Sequence, residues 1–432
     1  MLLLNIVLPR LAFLAVLAGC SYAGDYGRGS IPVTALVAQE QATTSPFFGM
    51  HIHRALYPDP EDEVRAWPKV RFGAWRIWDA GVTWRDLEPK KGQWQFEKLD
   101  RYVALAERHR VKLLLTLGQT PQWASARPME AGPYGKGCAA EPKEMADWEN
   151  YVREVVRRYK GRIEAYELWN EPDFTRLHPQ GFYSGTPEKM VELAMVTYRT
   201  IKEIDPSAIV ATPAVVAEVE RLEPYFRAGG HLYADVVAAH FYVLPPEHLA
   251  SMIRKFKSLM GKYGLQEKEL WNTESGFLIE NPDRKVKPSM AAGVFSKVLT
   301  TQEAEVNLAQ SLILSKAFGI TRNYWYAWDN FDMGLAKDND GTPNAAGLAY
   351  DRVVSWIDNA KSVRCTLSAN SIWICDVVHG NDVSQIVWAT KAMTDWELPF
   401  FSGAKVYEVL GDQPITLDTT KLKVGTRPIL LK

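Results

Sequence analysis

The chain has 432 residues, 47% of them hydrophobic, and a formal net charge of −1. That length exceeds one small domain, and that hydrophobic share supports a sizeable core. A near-neutral balance removes any electrostatic case for nucleic acid or an anionic membrane surface as partner.

Residues 1–20 read as an export signal. A short apolar run, Leu11 to Ala18, follows Arg10 and leads into Leu17-Ala18-Gly19-Cys20. The run is shorter than the roughly 20 residues that span a bilayer. Small residues before a cysteine resemble the bacterial lipoprotein cleavage box, in which the cysteine, here Cys20, is lipidated. Ser21 after it points such a lipoprotein to the outer membrane. Plain cleavage near Ala23, giving a periplasmic or secreted protein, is the alternative. The expected membrane contact is this N-terminal lipid alone. Residues 21–45 are small and polar and read as a linker, in which Ile31 to Val37 could add a strand.

From residue 46 to 357, short apolar segments alternate with amphipathic ones. The strand candidates are Phe47–His53, Ala74–Asp79, Lys112–Leu117, Ala165–Asn170, Ile209–Pro213, Val236–Tyr242, Glu269–Glu274 and Asn323–Trp328. Helical patterns fall between them at Phe96–His109, Glu144–Tyr159, Pro187–Ile204, Glu247–Tyr263 and Glu303–Phe318. This alternation predicts an α/β fold, a parallel (β/α)8 barrel of the TIM type. A doubly wound open sheet competes, but the chain offers no Gly-rich phosphate loop to support it.

Residues 358–432 change period to short strands, Ser371–Val378, Ser384–Ala389, Ala404–Leu410, Ile415–Leu417 and Ile429–Leu431. The turn residues Gly380-Asn381-Asp382 and Gly411-Asp412 separate them, which predicts a small antiparallel β-sandwich. Cys365 and Cys375 suit a hairpin disulfide in an oxidising compartment, and Cys138 is left over in a Gly/Pro loop. No cysteine spacing fits a zinc site. No signal sets a cofactor or an oligomeric state.

The chemistry sits in two near-repeats. Trp169-Asn170-Glu171-Pro172 follows the fourth strand candidate and Trp271-Asn272-Thr273-Glu274 ends the seventh. Barrel enzymes hold their sites at the C-terminal ends of the strands, so the tertiary fold can bring Glu171 and Glu274 to one bond. Two opposed carboxyls are the minimum equipment for hydrolysing a glycoside. Pro172 disfavours helical angles at Glu171 and predicts an extended strand end there.

These motifs resemble the clan A glycoside hydrolases, retaining (β/α)8 enzymes. The order of parts, with a trailing β-sandwich, resembles glycoside hydrolase family 39 and bacterial relatives acting on exopolysaccharides. The resemblance implies Glu171 as acid/base, Glu274 as nucleophile and Asn170 as a hydrogen-bonder to the sugar 2-hydroxyl. It also implies that Arg76, on the second strand, contacts the nucleophile; a plain barrel salt bridge is the alternative. His240 and Tyr242, on one face by alternation, match the clan's His-x-Tyr pair, whose tyrosine bonds the nucleophile. A core histidine is the alternative for His240.

Among aromatic residues near strand ends, Trp325 or Trp328 is expected to be a sugar platform, and Gln119 and Trp123 to frame the cleft. His51 and His53 would contact sugar hydroxyls. They also carry a rival reading: two histidines on a first strand resemble the metal-dependent amidohydrolases, with His240 and Asp329 as further ligands. That pattern lacks its fourth- and fifth-strand ligands here. A carbohydrate-binding barrel without chemistry is the remaining alternative, and two retained glutamates argue against it. The expected partner is an oligo- or polysaccharide, with no cofactor and no metal.

Overall fold

A computed structural model describes residues 43–56, 67–175, 181–282, 285–288, 294–337, 341–391, 393–397, 405–411, 413–416 and 421–432. The export signal with Cys20, and nearly all of the linker, lie outside the described residues.

Eight segments carry the parallel sheet. They are β1 (Phe48–His51), β2 (Ala74–Ile77), β3 (Lys112–Leu117), β4 (Ala165–Leu168), an interrupted β5 (Ile209–Ala211) and β6 (Val215–Val216), β7 (Val237–His240), β8 (Leu270–Ser275) and β11 (Ile320–Trp325), with the separate short pair β9 (Leu278–Ile279) and β10 (Val298–Leu299) between the last two. The sheet order is β5-β4-β3-β2-β1-β11-β8-β7-β6. Parallel bridges Asn170–Ala214 and Ala211–Val236 link the two ends of this curled sheet. Nearly every strand residue is buried, as expected when helices cover the outer face of a parallel sheet.

Between the strands lie α1 (Trp84–Leu87), α2 (Glu97–Arg108), α3 (Met145–Arg158), α4 (Pro187–Ile204), α5 (Val219–Arg227), α6 (His248–Lys262), α7 (Thr301–Ala317) and α8 (Ala345–Ile357). Helix α2 buries Leu99, Tyr102, Val103 and Ala106, one stripe at helical spacing. Helix α4 starts at Pro187, with Thr186 capping it; the missing proline N–H would have had no helical partner anyway. Helix α7 starts from a capping box between Thr300 and Glu303. Helix α5, which the sequence patterns do not show, carries Pro224 inside it.

Two-residue alternation builds the interior in layers. Ala74, Leu114, Ala165, Ala211, Ala238, Trp271 and Tyr324 form an inner cluster distinct from the strand–helix core. Two residues further along their strands stand Arg76, Thr116, Glu167 and His240, all buried. Small residues below and polar ones above are therefore one pattern, ending at the C-terminal rim. Strand β8 breaks it: its register shifts against both β7 and β11 near Asn272–Ser275. Simple alternation would set Trp271 and Glu274 on opposite faces, and the irregularity turns both inward.

The last strands are β12 (Ser362–Leu367), β13 (Ile372–His379), β14 (Asp382–Ala389), β15 (Thr394–Glu397), β16 (Lys405–Glu408), β17 (Ile415–Thr416), β18 (Lys421–Val424) and β19 (Ile429–Leu431). They form an antiparallel sheet β12-β13-β14-β19-β16-β17 and a separate pair β15-β18. Trp396 and Leu422 of the pair pack on Ile372, Val387, Val406 and Leu431 of the large sheet, giving two layers. Cys365 and Cys375 face each other across β12 and β13 and are disulfide-bonded. Helix α7 joins this module to the rest: Gln310 donates to the Thr426 carbonyl at 2.7 Å, and Arg427 pairs with buried Glu305 at 2.8 Å.

Candidate active site

The chain after β4 is held from two sides. Trp169 N–H donates to the Leu117 carbonyl at 2.7 Å, and Glu171 N–H to the Ala214 carbonyl at 2.9 Å. Both residues have left-handed backbone, φ 58° at Trp169 and 46° at Glu171. The extended conformation expected at Glu171 from Pro172 is therefore corrected: the two anchoring bonds select a region that the pre-proline argument did not consider.

This turn carries Glu171 over the barrel mouth toward Glu274 of β8. His240 Nδ1 lies 2.8 Å from Glu171 Oε1 and 3.9 Å from Glu274 Oε1. Carboxylate oxygens of the two glutamates and the histidine nitrogen lie within 4.8 Å of one another. Glu274 accepts from Tyr242 Oη at 2.5 Å and from Arg76 NH1 at 2.8 Å.

Arg76 is fully buried and bonded on every side. Its NH2 donates to Asn170 Oδ1 at 2.8 Å, and its Nε to Glu167 Oε2 at 2.8 Å, with a further NH2 bond to that oxygen. Burial alone would push the guanidinium down, but Glu167 and Glu274 outweigh it and hold it charged. Glu167 also accepts from Thr116 Oγ1 at 2.9 Å. Sequence reasoning missed Glu167. The available signal was its place two residues after Ala165, on the inward face of a short apolar strand.

Burial dominates the electrostatics. It pushes Glu171 up to about 7, opposed by Arg76 and reinforced by Asp79. It pushes Glu274 up to about 7 as well. The two carboxyls titrate as a pair, and their partners decide which keeps the proton. Glu274 has a guanidinium and a phenol donor, both favouring the charged form, so Glu274 ionises first and Glu171 holds the shared proton. Burial pushes His240 down to about 4, leaving the ring neutral near pH 7.

His51 and His53 stand on the rim beside the pair. His51 is buried, its Nε2 bonded to the Thr273 carbonyl at 3.0 Å and its Nδ1 unpartnered. His53 is half-buried, with Nε2 likewise unpartnered. Both rings edge against Tyr326, with centroids 5.1 and 4.8 Å away.

Three aromatic expectations are corrected. Trp325 is buried against Phe277 on the outer face, its Nε1 bonded to the Met333 carbonyl. Trp328 is also core, only 1% exposed. The strand ends at Trp325, earlier than predicted. Tyr324 faces the inner cluster, so alternation sends Trp325 outward and brings half-buried Tyr326 to the rim instead. Trp123 packs edge-on to Trp84 and donates to the Glu88 carbonyl, which fastens it to α1. Gln119 is buried and accepts from Thr83 Oγ1 at 3.2 Å, again a structural partner.

The geometry also removes the amidohydrolase set. Asp329 spends its carboxylate on the backbone N–H groups of His53 and Arg54, at 2.9 and 2.7 Å. His51 Nε2 is taken by a carbonyl. Glu171, His240 and Glu274 are spaced to hold a cation, yet Arg76 already supplies positive charge to Glu274.

The family model described as Glycosyl hydrolases family 39 matches residues 60–275. Endo-1,4-beta-xylanase A of Halalkalibacterium halodurans is 27% identical over 124 residues, covering 26% of this chain and 31% of the xylanase. The chain thus spans about a third of that relative. A family 39 glycoside hydrolase from Bacteroides cellulosilyticus WH2 superposes with TM-score 0.70 at 19% identity, covering 90% of this chain and 81% of that one. A glucosidase from Croceicoccus marinus superposes with TM-score 0.60 at 16% identity, covering 90% and 95%. These structural likenesses show a shared TIM-barrel-like fold. Half of the chain fits the family model, and the protein belongs to glycosyl hydrolases family 39.

Proposed function

We propose that the chain is an exported retaining β-glycoside hydrolase that cleaves an oligo- or polysaccharide by double displacement. The observation carrying this reading is that one carboxylate oxygen of Glu171 and one of Glu274 lie within 4.8 Å of each other. Retaining pairs stand about 5–5.5 Å apart, whereas inverting pairs leave about 6.5–9.5 Å for a water. We read the curled sheet and its two closing bridges as a complete (β/α)8 barrel, with the pair at its mouth.

Glu274, ionised between Arg76 and Tyr242, attacks the anomeric carbon. Glu171, still protonated, gives its proton to the departing oxygen. Neutral His240 donates from Nδ1 to Oε1 of Glu171, which leaves the acid proton on Oε2, free to meet the leaving group. Asn170 has its amide oxygen fixed by Arg76, so its NH2 remains as donor to a sugar hydroxyl. Once Glu274 is esterified its charge is gone, and the anionic Glu171 activates water for the second displacement.

Export rests on the apolar run before Cys20, with lipidation there as the anchor. The relatives named for xylan and glucosides suggest neutral plant-type polysaccharides as first substrates to try. The test is product stereochemistry by proton NMR on activated β-glycosides, with Glu274→Gln as control. First appearance of the β-anomer, lost in the variant, is expected. First appearance of the α-anomer ends the retaining mechanism, and equal inertness of both proteins across a broad glycan panel favours a binding protein.

A further inference from the structure

Asp79 follows β2 with left-handed backbone, φ 54°. Tyr134, from the loop after β3, donates to its Oδ1 at 2.5 Å, and Tyr326, just past β11, to its Oδ2 at 2.6 Å. All three side chains are half-buried, so they form part of the rim and not of the core. The mechanism above uses none of them.

Their hydrogen-bond capacity is one-sided. A phenol has one proton and an ionised carboxylate has none. With both phenol protons given to Asp79, what remains on the two tyrosine oxygens and on Asp79 is lone pairs. Two described cations near the wall are already committed. Arg76 serves Glu167 and Glu274. Arg54 donates to the Asp329 carbonyl at 2.7 Å and lies over the Phe331 ring.

This wall adjoins the catalytic pair: the Asp79 charge helps push the Glu171 carboxyl up, and the Tyr326 ring packs against His51 and His53 beside it.

We propose that Asp79, with Tyr134 and Tyr326, forms an acceptor-only wall that restricts the glycone to sugars without a carboxylate or sulfate group. The proposal rests on the glycosidase reading and narrows its substrate class. A sugar hydroxyl can donate to the wall, whereas an anionic substituent finds no donor on these three residues and meets the half-buried Asp79 carboxylate.

The test is a ratio. Wild type and Asp79→Asn are assayed on matched pairs, 4-nitrophenyl β-glucoside with β-glucuronide and β-galactoside with β-galacturonide. Wild type should prefer the neutral member by about 100-fold in kcat/KM, and Asp79→Asn should cut that preference by about tenfold. A merely structural role would slow both members alike and leave the ratio unchanged, which overturns the proposal. If the variant does not fold, the wild-type ratio decides, and equal or faster cleavage of a uronide overturns it. If wild type cleaves no member of any pair and also leaves the broad glycan panel intact, the glycosidase reading is what fails. The wall is then judged by affinity electrophoresis through xylan and β-glucan gels against alginate and polygalacturonate gels. Retardation by the neutral gels alone supports it, and any other pattern overturns it.

Discussion

Arg76→Met tests the buried polar layer most severely. The substitution keeps the length of the side chain but removes a cation that is 0% exposed and bonded to Glu167, Glu274 and Asn170. Opposite charges about 4 Å apart interact by about 4 kcal/mol at an effective dielectric of 20. Removing one member of a buried pair costs roughly 3–5 kcal/mol, because the other charge is left uncompensated. Against a total stability of about 5–15 kcal/mol, that should lower Tm by roughly 5 °C.

The kinetic consequence has a definite sign. Glu274 attacks as the anion. Without Arg76 its carboxyl rises further, because burial and the neighbouring Glu171 persist and only His240 and Tyr242 still favour the charge. A rise of about one unit, roughly a third of the gross Coulomb energy, moves the acid limb of kcat/KM upward and costs about tenfold at pH 6. The alkaline limb belongs to Glu171, which Arg76 also holds down, so that limb moves upward as well and the whole profile shifts to higher pH. The assay is kcat/KM on an activated aryl glycoside from pH 4 to 9, with calorimetric Tm on the same protein. Arg76→Lys keeps the charge and loses the fork, so its acid limb should stay near wild type while Tm falls part of the way. A wild-type Tm and an unmoved acid limb in Arg76→Met would refute the assignment of this residue.

Other consequences follow from the same contacts. Glu171→Gln should slow natural glycans by about 10²–10⁴-fold and activated aryl glycosides far less; equal losses on both would show that Glu171 is not the acid. The same variant should change stability with pH. Glu171 is pushed up to about 7 in the fold from about 4.3 unfolded, so the folded state holds a proton the unfolded chain has released. That contribution is complete below about pH 4 and is lost as pH rises through 7. Glu171→Gln should therefore gain about 1–3 kcal/mol on wild type between pH 5 and 8, read as a widening Tm difference; a constant difference contradicts the buried acid. Asp329→Ala should cost about 1–3 kcal/mol by orphaning the His53 and Arg54 N–H groups, while EDTA leaves wild-type activity intact. Loss of activity on chelation would revive the metal reading.

What the sequence made legible, and what it hid, divides along a physical line. Glu171, Glu274, Arg76 and Tyr242 lie at ends of apolar strands, where a charged or phenolic residue is conspicuous, and the fold brings them into one cluster. Glu167 holds the same place in β4 that Arg76 holds in β2, but it stayed hidden because no motif marks it and only packing shows that the two pair. Tyr326 was hidden by its neighbours, since Trp325 and Trp328 are larger and alternation cannot be phased without knowing where β11 ends. Glu274 exposes the limit most clearly. Strict two-residue alternation from Trp271 turns it away from the cavity, and only the register shifts flanking β8 return it. Such a shift depends on hydrogen bonds to two neighbouring strands at once, and no local pattern in Leu270–Ser275 encodes it. Restoring regular pairing there would disperse the site while leaving composition, periodicity and every motif intact. The chemistry of this chain is therefore written in residue types, but its assembly is written in a departure from periodicity that only the barrel enforces.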